Sequence, residues 1–466
     1  MASSTPARQW PAYAAIWRWH FYAGLFCIPF VLWLATTGST YLFKPQVEAL
    51  IDRPYANVAT AGPRATAAEQ VTAAVRAVPG SVLHRYQLPD TPTEAVQIIV
   101  GQGGVETRVY IHPQTLAVLK QVREDDRLMR VVFRLHGELL AGDVGSYVVE
   151  LAASWAIVMI LSGLFLWWPR GRGIAGVLYP RLSRGKRGFW RDIHAVTGFW
   201  VSFMALFLLL SGLPWAKSWG GYLKVVRSVV EDRPARQDWT TSRADETLAR
   251  AAADAGTRAM LGAHAEHGGM TMAHAPMSYA PLDRLVATVR PLELAAPVLI
   301  APPTAMGAPW TAKSDAADRP RRTDLTLDGA TGGILTRRDF NQRRLIDRLV
   351  GYGIAAHEGA LFGWLNQLLN LLTALGLVLL SVSGVAMWWR RRPEGRLGAP
   401  PDPLPRPAAY SFAALVTALG LLLPLFGASL LAVLAIDRYA LRRASGMRRW
   451  LGLRAANSGP LRRTGV

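Results

Sequence analysis

Apolar positions in this chain come mostly in runs rather than in stripes. Five runs are long enough for a helix to cross a bilayer, which takes about 20 residues at ~1.5 Å rise each. Phe21–Phe43 is uncharged, Tyr147–Trp168 carries only Glu150, and Ala195–Trp215 is uncharged. The fourth lies within 359–389 and the fifth within 407–436, both without a charge. The first run reads as a span and not as a cleavable signal, being too long for an h-region and lacking a small-residue cleavage site. Between spans the pattern changes. Ala67–Ala77 predicts a helix, and Val82–Gln87, Ala95–Val100 and Thr107–Ile111 predict strands. Val109–Leu119 reads like Leu325–Leu335, with Thr115 in the place of Thr331. The fold expected is an α-helical integral membrane protein with two small α+β modules.

Composition sharpens this. The 466 residues hold 52 Lys and Arg against 32 Asp and Glu, a net charge of +20, yet only 18% are charged and 51% are hydrophobic. A disordered basic tail would be charge-rich and apolar-poor. Long uncharged runs exclude a soluble nucleic-acid binder, so no nucleic-acid partner is expected. The single cysteine, Cys27, excludes intramolecular disulfides, thiolate zinc sites and Cys-ligated clusters. Most of the 17 tryptophans stand at the ends of the apolar runs, as at lipid interfaces.

Arginine and lysine in the short loops set orientation. Residues 169–194 and 390–406 are strongly basic and are expected in the cytoplasm with the N-terminal residues 1–20. Spans at 21–43, 147–168, 195–215 and 359–389 then place 44–146 and 216–358 outside. The tail, 437–466, is also basic. After a single crossing of 407–436 it would lie outside; Pro424 and Gly427 can instead fold that run into a short hairpin. Both arrangements stay open.

The two halves repeat each other. His20 is followed by Gly24 and Gly38 at offsets 4 and 18, and His194 by Gly198 and Gly212 at the same offsets. His136 has Gly142, Gly163 and Trp167-Trp168 at +6, +27 and +31/+32; His357 has Gly363, Gly384 and Trp388-Trp389 at the same places. The unit read from this internal duplication is span, external module, span.

These four histidines are the candidate site. Imidazole is a good axial ligand for haem iron, and a histidine near lipid needs a partner. His20 and His194 mark the inner ends of their spans, and His136 and His357 precede spans at the outer face. Two histidines at each face suit one b-type haem at each face. Gly24 and Gly198, one turn from their histidines, would leave room for a flat macrocycle. The alternative is that such histidines are polar anchors or are kept for packing. His84 and His112 have no repeat partner and read as surface residues.

The second half carries an insert, Met260–Met277, that reads as a loop. Its His264, His267, Met270, Met272, His274 and Met277 combine imidazole and thioether donors, which suit copper. The same composition also describes a plain low-complexity insertion. Gly101–Gly104 is glycine-rich but lacks the strand–turn–helix setting of a dinucleotide site. No P-loop, nucleophile elbow or HExxH occurs, so no catalytic residue is assigned beyond the haem ligands.

These residues resemble the PepSY-associated transmembrane helix family of bacterial inner-membrane proteins, which includes siderophore-linked iron reductases. The resemblance rests on Trp19-His20 with Thr37-Gly38, Leu135-His136-Gly137 with Ser162-Gly163, His194 with Ser211-Gly212, and His357 with Ser383-Gly384. Leu423-Pro424-Leu425-Phe426-Gly427 and Asp437 are also typical. It implies a multi-pass inner-membrane protein with two PepSY-like periplasmic modules and a cytoplasmic N-terminus. It further implies two haems held by His20, His194, His136 and His357, with electrons passed outward to a ferric siderophore or other metal chelate. Its electron donor would be a quinol or a cytoplasmic flavoprotein. The Met/His insert departs from the family pattern and keeps a cupric reductase open. Two other classes compete. One is a non-redox metal permease using Glu150, Asn366, Gln367 and Asn370 as a polar path. The other is an assembly protein whose external modules bind a partner.

Overall fold

A computed structural model describes residues 13–169, 175–181, 183, 185–231, 243–266, 279–400, 406–441 and 443–451. In chain order the first helices are α1 (Tyr13–Leu42), α2 (Lys44–Asp52), α3 (Ala67–Ala77), α4 (Leu128–Glu138), α5 (Gly142–Trp167) and α6 (Gly185–Gly212). Then come α7 (Lys217–Glu231), α8 (Arg243–Glu266), α9 (Pro281–Val289), α10 (Leu345–His357), α11 (Trp364–Arg391), α12 (Arg406–Leu422), α13 (Pro424–Ile436) and α14 (Ser445–Leu451). The strands are β1 (Val82–Leu88), β2 (Val96–Gln102), β3 (Val105–Ile111), β4 (Val118–Arg123), β5 (Val298–Ala301), β6 (Trp310–Ser314), β7 (Thr323–Leu327) and β8 (Ile334–Asp339). Among the described residues four helices are long and apolar enough to cross a membrane: α1, α5, α11, and α6 with its continuation to Trp215.

The chain forms two compact units. The first comprises Met1–Gly38, His136–Ala235 and Leu371–Val466, and so holds most of the apolar helices. Its core gathers Ala23 and Cys27 of α1, Trp155 to Ile157 of α5, Leu213, Leu423, and Phe426 of α13. Trp155 stacks on Trp19 and meets Phe426 edge to face, while its indole N–H donates to Ser429 Oγ at 3.0 Å. The fifth apolar run is broken at Leu423, and Pro424 starts α13, where a missing N–H costs nothing. The chain doubles back there. A Cβ on Gly427 would stand 2.7 Å from the Gly420 carbonyl oxygen, so only glycines let α12 and α13 meet this closely. With 17 and 13 residues these helices are ~25 and ~20 Å long, each short of a hydrocarbon core.

The second unit, Ser39–Leu135 and Arg236–Asn370, corrects the expectation of two separate modules. It is built on one eight-stranded antiparallel sheet, ordered β4-β3-β2-β1-β5-β6-β7-β8. The seam is the pairing of Tyr86, Gln87 and Leu88 with Ile300, Leu299 and Val298. Each half is a helix followed by a four-stranded meander. α3 starts with a capping box, in which Thr66 Oγ1 accepts from the Glu69 N–H while Glu69 accepts from the Thr66 N–H at 2.8 Å. Val71, Leu83, Ile98 and Val109 of one half and Leu282, Leu285, Ile300 and Leu325 of the other lie in a single core. Two apolar inner strands left unpaired would be open templates for other chains; pairing β1 with β5 removes both edges. The outer edges, β4 and β8, are largely exposed and carry Lys120, Arg123, Arg337 and Arg338.

The halves also agree in detail. The β3–β4 register slips between Tyr110 and Ile111, and the β7–β8 register between Thr326 and Leu327. In the following turns Leu116 and Gly332 take positive φ, and Thr115 and Thr331 each accept from the N–H two residues on. His112 does in its turn what Asp328 does in the other: each accepts the N–H two residues ahead, from Gln114 and Ala330. His112, expected at the surface, is half-buried there and holds this turn together.

Candidate functional site

Three of the four repeat histidines are held in the same manner, by a hydroxyl on a neighbouring helix. His20 of α1 meets Ser162 of α5: its Nδ1 lies 3.0 Å from Ser162 Oγ and 3.0 Å from the Met159 carbonyl oxygen. His194 of α6 meets Ser383 of α11, with Nδ1 3.0 Å from Ser383 Oγ and 3.2 Å from the Leu380 carbonyl oxygen. His136, near the end of α4, has Nδ1 3.0 Å from Thr37 Oγ1 of α1. Each hydroxyl donates its own hydrogen to a carbonyl in its helix, from Ser162 to Met159, Ser383 to Leu380 and Thr37 to Trp33. The hydroxyl oxygen is left to accept. The proton must then sit on histidine Nδ1, which leaves Nε2 with its lone pair.

Glycines make the seats for these rings. A Cβ on Gly163 would stand 3.0 Å from His20 Cε1, one on Gly38 3.0 Å from His136 Cε1, and one on Gly384 3.6 Å from His194 Cε1. At Gly24 and Gly198 a Cβ would meet Met159 and Leu380 at ordinary contact distances of 3.8 and 3.5 Å, so these two glycines do not touch the histidine rings. The hydroxyl–glycine pairs Thr37-Gly38, Ser162-Gly163 and Ser383-Gly384 hold these rings, a role that the sequence alone does not assign them. Their fixed offset from repeated histidines was the available signal.

The structure brings His20 and His194 together. Their ring centres are 6.5 Å apart and their planes are inclined at 82°. Two imidazoles on opposite sides of one metal ion, at about 2 Å per metal–nitrogen bond, put their ring centres a little over ~6 Å apart. Every hydrogen bond these two rings make among the described residues is made at Nδ1. This donor set fits axial ligation of a haem. Among the described residues there is no group of three or more His, Cys, Asp or Glu that could hold a metal ion, a pattern that two-histidine ligation does not require. His136 belongs to the first unit and His357 to the second. His357 ends α10, where Asn370 Nδ2 donates to its carbonyl at 3.0 Å.

The tryptophan pairs have a local task. Trp167 Nε1 donates to the Val177 carbonyl at 3.0 Å and Trp388 Nε1 to the Leu397 carbonyl at 2.9 Å, so each ties down the basic segment after its span. In one of these segments Asp192 is fully buried, two residues before His194, and accepts from Arg181 Nε at 2.6 Å.

The groups expected to form a polar path are engaged elsewhere. Glu150 caps α7, accepting from the Ser218 and Trp219 N–H groups at 2.9 and 3.1 Å. Asn366 and Asn370 both donate to the Ala356 carbonyl at the end of α10, and Gln367 donates to the Leu42 carbonyl. They close helix ends.

His84, expected at the surface, is instead buried, with Nδ1 2.9 Å from Glu106 and Nε2 2.5 Å from Asp254 of α8. Arg85 and Arg250 also pair with Glu106. Burial alone would raise the Glu106 carboxyl; the hydrogen bond from His84 and the charges of Arg85 and Arg250 bring it down to about 2. Gly101 leaves the space in which His84 and Asp254 meet. Gly103 and Gly104, both at positive φ, form the two-residue turn between β2 and β3, and the Gly104 N–H donates to Asp254 at 2.6 Å.

The Met/His insert is not wholly a loop. Residues 260–266 finish α8, so His264 lies on a helix, while His267, Met270, Met272, His274 and Met277 fall outside the described residues.

The family model for the PepSY-associated TM region, PepSY_TM, matches residues 17–391, and the chain belongs to that family. None of the curated proteins compared with it matches.

Proposed function

We propose that this chain is a di-haem reductase of a bacterial inner membrane that delivers electrons to a ferric siderophore, or a related metal chelate, on the periplasmic side. The observation that carries the reading is the His20–His194 pair. Two imidazoles from different spans stand at a bis-ligand separation, each with Nδ1 engaged, Nε2 available and a hydroxyl–glycine seat. A packing histidine needs a partner but has no need of a second imidazole at that distance. His136, with the same tautomer and seat, and His357, its counterpart by offset, are the residues that would hold the second group.

Bound haem would supply one-electron chemistry; the chain supplies ligation, orientation and an apolar sheath. Ser162 and Ser383 fix the rings, and the glycines let them approach the helices. Basic segments 169–194 and 390–406 face the cytoplasm by the positive-inside rule, which puts His20 and His194 at the inner ends. The agreement of both ligand seats and both sheet halves supports an internal duplication. The haem would not be covalent, since Cys27 is the only cysteine. Engagement of Glu150, Asn366 and Asn370 in closing helix ends argues against a permease path.

The test is the absorption spectrum of the purified protein before and after dithionite, with haem counted per chain. Two haems are expected. His20→Ala or His194→Ala should remove one and spare the other, and His136→Ala or His357→Ala should remove the second. A colourless wild type, or full haem content in all four variants, would overturn the assignment.

A further inference from the structure

Ring orientation is the feature of the His20–His194 pair that ligation alone leaves unexplained. An imidazole bound through Nε2 can spin about its metal bond, and a single hydrogen bond at Nδ1 restrains that rotation weakly. Here each Nδ1–H lies between two acceptors. For His20 these are Ser162 Oγ at 3.0 Å and the Met159 carbonyl at 3.0 Å; for His194 they are Ser383 Oγ at 3.0 Å and the Leu380 carbonyl at 3.2 Å. In both cases hydroxyl and carbonyl belong to residues three apart on one helix, and the serine donates to that same carbonyl. The serine can therefore act only as acceptor toward the ring. Two acceptors joined in this way form a fork that sets the ring plane as well as the tautomer. The two forks sit on different helices, α5 and α11, and the planes they hold are inclined at 82°.

We infer that Ser162 and Ser383 are positioning residues that hold the His20 and His194 planes crossed. The inference rests on the proposed haem ligation and deepens it. Crossed axial planes leave the iron d orbitals that bond to the ligand π systems nearly degenerate, whereas parallel planes split them. Low-spin ferric haem then gives a strongly anisotropic electron paramagnetic resonance signal in the first case and a rhombic one in the second. An acceptor at Nδ1 also makes the imidazole a stronger donor to iron, so losing it weakens the bond and favours the reduced form.

The experiment uses the full-length protein in five forms: wild type, Ser162→Ala, Ser162→Thr, Ser383→Ala and Ser383→Thr. The inner haem of the wild type should give the strongly anisotropic signal. Ser162→Ala should shift or broaden that signal alone, raise the inner midpoint potential and speed haem loss roughly 10-fold. Ser162→Thr should restore all three, because Thr37 already does this task for His136. A haem-independent readout is the nitrogen NMR shift of labelled His20 in protein prepared without haem, which should report Nδ1–H in the wild type. Haem present with unchanged signal, potential and loss rate in both alanine variants would overturn the positioning role and leave the ligation standing. A wild type that binds no haem would overturn both.

Discussion

Single atoms decide most of what this chain can do. A histidine whose Nδ1 faces a carbonyl must keep its proton there, and that one constraint leaves Nε2 of His20 and His194 with its lone pair. The hydroxyl–glycine pairs were visible in the sequence as recurring dipeptides, but their purpose was not. Thr37 and Ser162 precede their histidines' seats on other helices, and no local pattern reports a contact between helices. The burial of His84 is hidden from the sequence for a related reason. The β1 pairing slips between Leu83 and Arg85, so alternation does not reveal which side His84 faces. The network around it gives a pH prediction. Glu106 is held at about 2, below the ordinary carboxylate, by His84, Arg85 and Arg250 against the effect of burial. A carboxyl lowered on folding stabilises the native state above its unfolded value, and that contribution, about 3 kcal/mol, fades as pH falls towards 2. Glu106→Gln should therefore weaken the sheet at neutral pH and flatten its acid dependence. Hydrogen exchange of β1 to β3 between pH 7 and 3 measures this; identical acid profiles for both proteins would refute it.

At the level of elements, legibility followed local chemistry. α3 runs over Ala67–Ala77 as the sequence predicts, because a capping box starts it and an apolar stripe repeats along it. α8 carries no apolar stripe in the sequence, because its inward positions are Arg250, Asp254 and Thr257 at helical spacing. This helix is clamped by charge. Arg250 lies 3.2 Å from Glu106 and 3.4 Å from Asp125, Arg243 lies 3.0 Å from Asp125, and Arg130 pairs with Glu246. Removing one partner of a buried pair strands the other and costs about 3–5 kcal/mol. Arg250→Ala is expected to release α8 while α3 and α9 stay docked on the opposite core. Hydrogen exchange rising over 243–260 with 67–77 unchanged is the expected outcome. Uniform protection in the variant would mean that the ion pairs do not hold the helix.

For the molecule as a whole, the spans were legible from hydropathy and the repeat from fixed offsets, whereas the joining of the sheet was not. Strands β1 and β5 stand far apart in the chain, and neither carries a mark naming its neighbour. The proposed orientation makes its own prediction. Spheroplasts supplied with a cytoplasmic electron source should reduce an impermeant ferric chelate without lysis. The His136→Ala and His357→Ala variants should lose at least about tenfold in rate. Reduction seen only when the chelate reaches the cytoplasmic face would reverse both topology and mechanism.

The seam between β1 and β5 also sets a timetable for synthesis. β1 leaves the ribosome with the edge that will meet β5 bare, and the three residues that cover it, Val298 to Ile300, are made only after α5 to α9. At about 5–20 residues per second that interval is on the order of ten seconds or more. Throughout it the first meander exposes Tyr86 and Leu88 on an open strand, a ready template for a second nascent chain. The finished protein has no such edge, but its biogenesis does. A holdase working in the compartment that receives the sheet would thus meet this chain during a defined window, opening at β1 and closing at β5.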